Sequence, residues 1–299
     1  MKRIKGICRI ASMVIFLPGF YSCISQPSND TKKQAEITAE STEGSISDSI
    51  SIFYLLPSPG EIILRFYKSD FPYNPALLNS PANKDKYIGS TAQTLNLGIY
   101  ITDMAYCALY ERTSETVNYL ETIQTLCNET GISSGVFESL LVRSKANTER
   151  IDSLFNISNE AFINMIEFLE TGGNENAIAH ISAGAYIESL YLALETIGKF
   201  TAEDPNMDLL VEMKYPVDNL LEKIKNFSAS EKESHYVSYL KQISSIFEGL
   251  ETKSAKTTIT ESKTGTIKIS GGDQTIMSET SFNNLKQKVS EIRKDLVNF

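Results

Sequence analysis

Two segments of this chain, from about 85 to 110 and from 174 to about 200, follow helical spacing yet are apolar on almost every face. A helix of that kind has no solvent side, so both must lie at the centre of whatever the chain builds. Each nevertheless carries a polar stripe. On the first, Gln93, Asn96, Tyr100, Asp103, Cys107 and Tyr110 recur every three to four residues; on the second, His180, Gly184, Glu188, Tyr191 and Glu195 do so, with Gly184 leaving room beside the backbone. Buried polar groups need partners, so any fold of this chain must answer for both stripes.

Helical spacing also governs most of the remaining sequence. Pro57-Ser58-Pro59-Gly60 introduces a helix to about 70, and Pro72, Pro75 and Pro81 keep the next stretch irregular, with Leu77 and Leu78 turned to the core. Thr113 is placed to cap a helix ending before Gly131, and Ser133 or Ser134 to start another bearing Phe137, Leu140 and Leu141. A helix from about 147 ends at Gly172-Gly173, and one from Asp204-Pro205 must be kinked or split by Pro216. Ser230 with Glu233 has the form of a capping box for a helix burying Tyr236, Tyr239, Leu240, Ile243, Phe247 and Leu250. The pattern then becomes Thr257 to Thr260 and Thr266 to Ile269 around Gly265, a β-hairpin at about 256–270. An apolar stripe of Leu285, Val289, Ile292 and Leu296, flanked by basic residues, predicts a last helix that docks on the domain. No fixed repeat period connects these helices. The expectation is an all-α, irregular multi-helix bundle over 52–299, with a small C-terminal β-hairpin and a final amphipathic helix.

Before the bundle, Lys2, Arg3, Lys5 and Arg9 precede an apolar stretch from Ile10 to Leu17, too short for a span of about 20 residues. Phe20-Tyr21-Ser22-Cys23 follows, and it resembles the lipobox of bacterial lipoproteins, with Phe20 where an aliphatic residue is usual. The resemblance implies a signal peptide over 1–22 and a lipidated Cys23; plain secretion and an uncleaved anchor are the competing readings. Residues 24–51 are polar and without periodicity, a tether of 28 residues reaching roughly 30 Å as a flexible coil.

The 28 basic and 37 acidic residues give a net charge of −9, and without the four basic residues of 1–22 the balance is 24 against 37, or −13. Such a body is unsuited to nucleic acid and repels anionic headgroups, so a lipid at Cys23 would be its hold on the membrane. Beyond Cys8 and Cys23, only Cys107 and Cys127 remain. With a turn near 112 they lie at unequal distances from it, so the expectation is two buried free thiols.

P-loop, dinucleotide, HExxH, EF-hand and CxxC patterns are absent, and two histidines leave little for transition-metal chemistry. No catalytic residue, metal ligand or cofactor is assigned. The polar stripes admit two readings. In one they converge on a pocket where Asn96, Tyr100, Asp103, His180 and Glu188 bind a small ligand or divalent metal, possible grounds for an enzyme. In the other they hydrogen-bond across the core and fix helix register, which is the simpler account.

Asn96-Leu97-Gly98-Ile99-Tyr100-Ile101-Thr102-Asp103-Met104-Ala105-Tyr106 and Gly184-Ala185-Tyr186-Ile187-Glu188-Ser189-Leu190-Tyr191 are similar to segments of uncharacterised helical lipoproteins of Gram-negative bacteria. The resemblance implies a helical body anchored to a membrane, the outer membrane in such cells, and a possible envelope protein partner, but brings no activity. The sequence expectation is therefore a lipid-anchored envelope protein that binds or scaffolds, with the ligand- or metal-binding bundle as the alternative.

Overall fold

A computed structural model of the chain describes residues 58–67, 71–132, 142, 151–232, 234–261 and 267–298, with backbone alone at 151–153, 255–261 and 267–271. All belong to one unit, Ser49–Phe299. The helices are α1 (Pro59–Phe66), α2 (Ser90–Leu109), α3 (Thr113–Thr130), α4 (Ile151–Thr171), α5 (Glu175–Ile197), α6 (Asn206–Glu212), α7 (Lys214–Ile224), the single turn α8 (Ala229–Lys232), α9 (His235–Glu248) and α10 (Glu279–Val297). Strands β1 (Glu251–Glu261) and β2 (Ile267–Ile276) form an antiparallel pair between α9 and α10, and two 3₁₀ turns, Pro75–Leu77 and Pro81–Lys86, lie between α1 and α2. The helical architecture, hairpin and final helix are those the periodicity predicts.

The two all-round apolar segments are α2 and α5, and they form the most extensive helix pair. Their position explains their composition. A core built by α3 and α4 lies against one side of the pair, with Leu97, Tyr100, Ile101, Ile178 and Ile181 in it. A second core, built by α1, α6, α7, α9 and α10, lies against another and takes Leu95, Ile99, Ala183, Ile187 and Leu190. Helix α5 is long and apolar enough to cross a membrane, but it is almost wholly buried inside the body, which is what a core helix between two apolar layers requires.

At the crossing the two backbones touch. A Cβ on Gly98 would lie 2.0 Å from the Ile181 carbonyl oxygen, and one on Gly184 would lie 1.9 Å from that of Leu95. Thr102 seals the contact, its hydroxyl donating to Gly98 O at 3.0 Å and shared with Ala185 O on the other helix at 3.3 Å.

Helix boundaries follow local chemistry, with some departures from expectation. Ser58 and Glu61 form a reciprocal capping box on α1. Helix α2 starts at 90 rather than 85, because Pro81–Lys86 closes as a 3₁₀ turn and Gly89 takes φ +90°. Thr113 is the first helical residue of α3 and not its cap; the chain enters through Glu111 at φ +61°. Pro216 splits the helix as expected, since in the first turn of α7 it has no N–H to donate toward Glu212. Ser230 does not start the long helix: Ser228 accepts from Glu231 N to cap the turn α8, and α9 begins separately after Ser234. The strands of the hairpin are longer than predicted, with an irregularity in register between Ala255 and Thr258. The helix expected from Ser133 or Ser134, with Phe137, Leu140 and Leu141, the residues 52–56 and 68–70, and Glu233 lie outside the described residues, as do Cys23 and the tether.

The glycine crossing generates a direct test. Gly98→Ala or Gly184→Ala forces carbonyl and methyl together, and each variant should lose about 1–3 kcal/mol or more by urea unfolding. At Gly249 a Cβ would stand 3.6 Å from the nearest atoms, so Gly249→Ala should leave stability within about 1 kcal/mol of the parent.

Candidate functional site

The polar stripes of α2 and α5 bring together two carboxyl groups, Asp103 and Glu188, both fully buried. Glu188 receives a two-pronged bond from α10: Arg293 Nε donates to Oε2 at 3.0 Å and Nη2 to Oε1 at 3.1 Å. The guanidinium also donates to Leu77 O at 2.9 Å and lies 4.8 Å above the ring of Tyr191. Planarity and five fixed donors suit arginine to this position, since one group serves a carboxylate, a carbonyl and an aromatic face together.

Asp103 has a different environment. Its Oδ2 accepts from Asn79 N at 3.0 Å, while Oδ1 finds no N–H or O–H donor. Its carboxyl is instead within hydrogen-bonding reach of the Glu188 carboxyl. Burial, reinforced by the Glu188 charge and only partly opposed by Arg293, holds the Asp103 carboxyl well above the usual range. Protonated, Asp103 becomes the donor that the pair lacks, and one cation then balances one carboxylate with no net buried charge.

A buried net of side chains surrounds the pair and anchors the irregular segment and the last helix. Asn79 Nδ2 donates to Tyr87 Oη at 2.8 Å and to Asn96 Oδ1 at 3.3 Å, and Asn79 O accepts from Tyr119 at 3.0 Å. Asn96 Nδ2 donates to Leu296 O at 2.9 Å and Tyr87 Oη to Val297 O at 3.4 Å, so two carbonyls that the end of α10 leaves unpaired are satisfied by side chains. Tyr100 donates to Ser80 O at 3.0 Å. Of the predicted residues, Asn96, Tyr100, Asp103 and Glu188 thus belong to one neighbourhood.

His180 does not join them. It lies eight residues before Glu188 on α5, about 12 Å along the axis. Both ring nitrogens are engaged elsewhere, Nδ1 with Thr94 Oγ1 at 3.0 Å and Nε2 with Glu231 Oε1 at 2.7 Å, while Tyr236 packs edge-on at 4.9 Å. Hydroxyl, imidazole and carboxylate in line suggest a nucleophilic triad, but Thr94 is buried, its hydroxyl also lies 2.7 Å from Ser90 O, and it lines none of the described cavities. The cluster ties α8 to α2 and α5. Cys107 and Cys127 are buried free thiols; burial pushes Cys107 up to about 12, so it stays protonated.

Among the described residues, no three of His, Cys, Asp and Glu come together as metal ligands. Arg293 supplies the positive charge at the Glu188 carboxylate where a cation would otherwise be needed. Neither Arg293 nor Asn79 is a predicted site residue. The available signal was that two buried carboxylates on helices without a Lys or Arg in their buried stretches require a cation from elsewhere, and the basic flank of the last helix was the place to seek it.

Beside the cluster, a cleft of about 420 Å³ opens between the irregular segment, Tyr191 and the last turns of α10. The other two described cavities hold about 10 Å³ each, room for a single water. Compared with known proteins, the chain matches no family model, no curated protein and no solved structure.

Two outcomes follow from the buried charges. Arg293→Ala strands Glu188 and should cost about 3–5 kcal/mol in urea unfolding. The folded chain keeps a proton on Asp103 that the unfolded chain releases above the ordinary carboxylate range. Its contribution is complete below that range and is lost as pH rises toward the raised value. The urea midpoint of the parent should therefore fall across that window, while Asp103→Asn, still a donor to Glu188, should remain folded and remove that part of the pH dependence.

Proposed function

We propose that this protein is a lipid-anchored component of a bacterial cell envelope, held at the outer membrane through Cys23, whose helical body binds or scaffolds and does not catalyse. The basic start, the short apolar stretch, the small residue before Cys23 and the 28-residue polar tether support the address. With two or more acyl chains, at about 0.8 kcal/mol per buried methylene, such an anchor is stable without any span. The net charge of −13 beyond residue 22 favours a body that stands off an anionic surface.

The observation that carries the non-catalytic reading is the Arg293 fork on Glu188. A catalytic or metal-binding carboxylate keeps a face for substrate or cation, whereas Glu188 is fully buried and committed to a guanidinium from its own chain. The alternative, a ligand- or metal-binding bundle or enzyme using Asp103, His180 and Glu188 together, would need His180 released from Thr94 and Glu231. An envelope protein partner fits a body whose buried charges are already satisfied.

Replacing Cys23 by Ala in a bacterial host tests the anchor. The parent should incorporate radiolabelled palmitate and sediment with membranes, and Cys23→Ala should do neither. Continued sedimentation of the variant with washed membranes would overturn the lipid anchor.

A further inference from the structure

The cleft beside Arg293 is the only described cavity of ligand size, within the roughly 300–1,000 Å³ typical of small-molecule sites. Its lining also departs from the rest of the chain. Acidic residues outnumber basic ones overall, yet the described lining contains Arg293 and Lys294 and no carboxylate. Ser290, Arg293, Lys294 and Asn298 present one side of α10, with Asn83 and Ser80 of the irregular segment facing them across the opening.

The floor is preorganised. Arg293 is fixed by Glu188, Leu77 O and the Tyr191 ring, and Asn79 by Asp103, Tyr87 and Asn96. The floor is thus in place before a ligand arrives, and the ordering cost falls on Lys294 and the rim side chains alone. Arg293 and Glu188 cancel, which leaves Lys294, a cation with no ion pair among the described residues, at the mouth. Asn83 Nδ2 donates to Asn79 Oδ1 at 2.9 Å and Asn298 Nδ2 to Lys294 O at 2.8 Å, so each amide keeps its second N–H, beside the Ser290 hydroxyl, for a ligand oxygen.

We propose that this cleft binds a small organic anion, a carboxylate or phosphate ester, whose oxyanion is held between Lys294 and the outer edge of Arg293 while its remaining polar groups meet Asn83, Ser290 and Asn298. This deepens the binding role argued above by giving it a place and a ligand class, but it does not depend on the lipid anchor. Inorganic phosphate and succinate are the two probes for the shared oxyanion chemistry, and either source satisfies it. Such contacts are screened, so binding weakens as ionic strength rises.

The test uses the full chain purified in detergent, titrated calorimetrically and by thermal unfolding with sodium phosphate or sodium succinate against sodium chloride of matched ionic strength, and with glucose as a neutral polyol. At least one of the two anions should bind saturably and raise the melting temperature, and glucose should not. Lys294→Glu, an exposed substitution that leaves the Glu188 contacts untouched, should weaken binding about tenfold or more with an unchanged melting temperature in chloride. Ser290→Phe, which fills the cleft from its side, should abolish binding. Three results would each overturn the proposal: no saturable binding of either anion, binding that survives both substitutions, or glucose binding as well as the anions. Anion binding by a Cys23→Ala chain that has left the membrane would separate this site from the anchor, each standing or failing alone.

Discussion

The contact on which the body depends is the crossing of α2 and α5 at Gly98 and Gly184, where two backbones meet with no side chain between them. Close approach sets the spacing of every layer outside the pair. It also brings Asp103 and Glu188, one turn or so beyond the glycines on their respective helices, within reach of each other. Alanine at either glycine would push the helices apart, and the polar net built around their shared axis would lose its geometry. The two cores on either side of the pair are in that sense secondary: each fills the space that the crossing leaves.

The second constraint is electrostatic. Bringing two carboxyl groups into a dry interior is unfavourable unless charge is balanced and every lone pair is met. The chain answers with the Arg293 fork on Glu188 and the Asn79 N–H on Asp103, whose raised pKa favours the neutral carboxyl that can donate to Glu188. The same residues tie together parts of the chain that lie far apart in sequence. Arg293 ties α10 to α5 and to Leu77, and Asn96 and Tyr87 close the end of α10. The irregular segment between α1 and α2, which has no regular hydrogen-bond ladder of its own, is held by side chains from α2 and α3.

Much of this was legible in the order of residues. All-round apolarity identified α2 and α5 as central, Gly184 as a place of close packing, and Asp103 and Glu188 as buried polar groups in need of partners. Pro216, Gly131 and Gly173 marked breaks that local chemistry determines. What could not be read was partnership over long separations. Thr94, 86 residues away, competes for His180, and Arg293 reaches Glu188 from 105 residues on. Helical spacing states which residues share a face, but not which distant element covers it. Cap assignment failed for a related reason: Thr113 and Ser230 have suitable side chains, yet the positive-φ turn at Glu111 and the hydroxyl of the neighbouring Ser228 decide where the helices start.

The lateness of α10 has a consequence for how the body is made. Asn96 and its partner carbonyl at Leu296 are 200 residues apart, so the central pair is synthesised long before the helix that closes it. Until then Glu188 has no countercharge, the second core is open along the face that Phe282, Leu285, Val289 and Ile292 will cover, and the Asn79 segment lacks its far wall. Contacts of such separation form slowly. A chain without α10 is therefore an open half-bundle, with apolar surface exposed and a buried carboxylate unpaired.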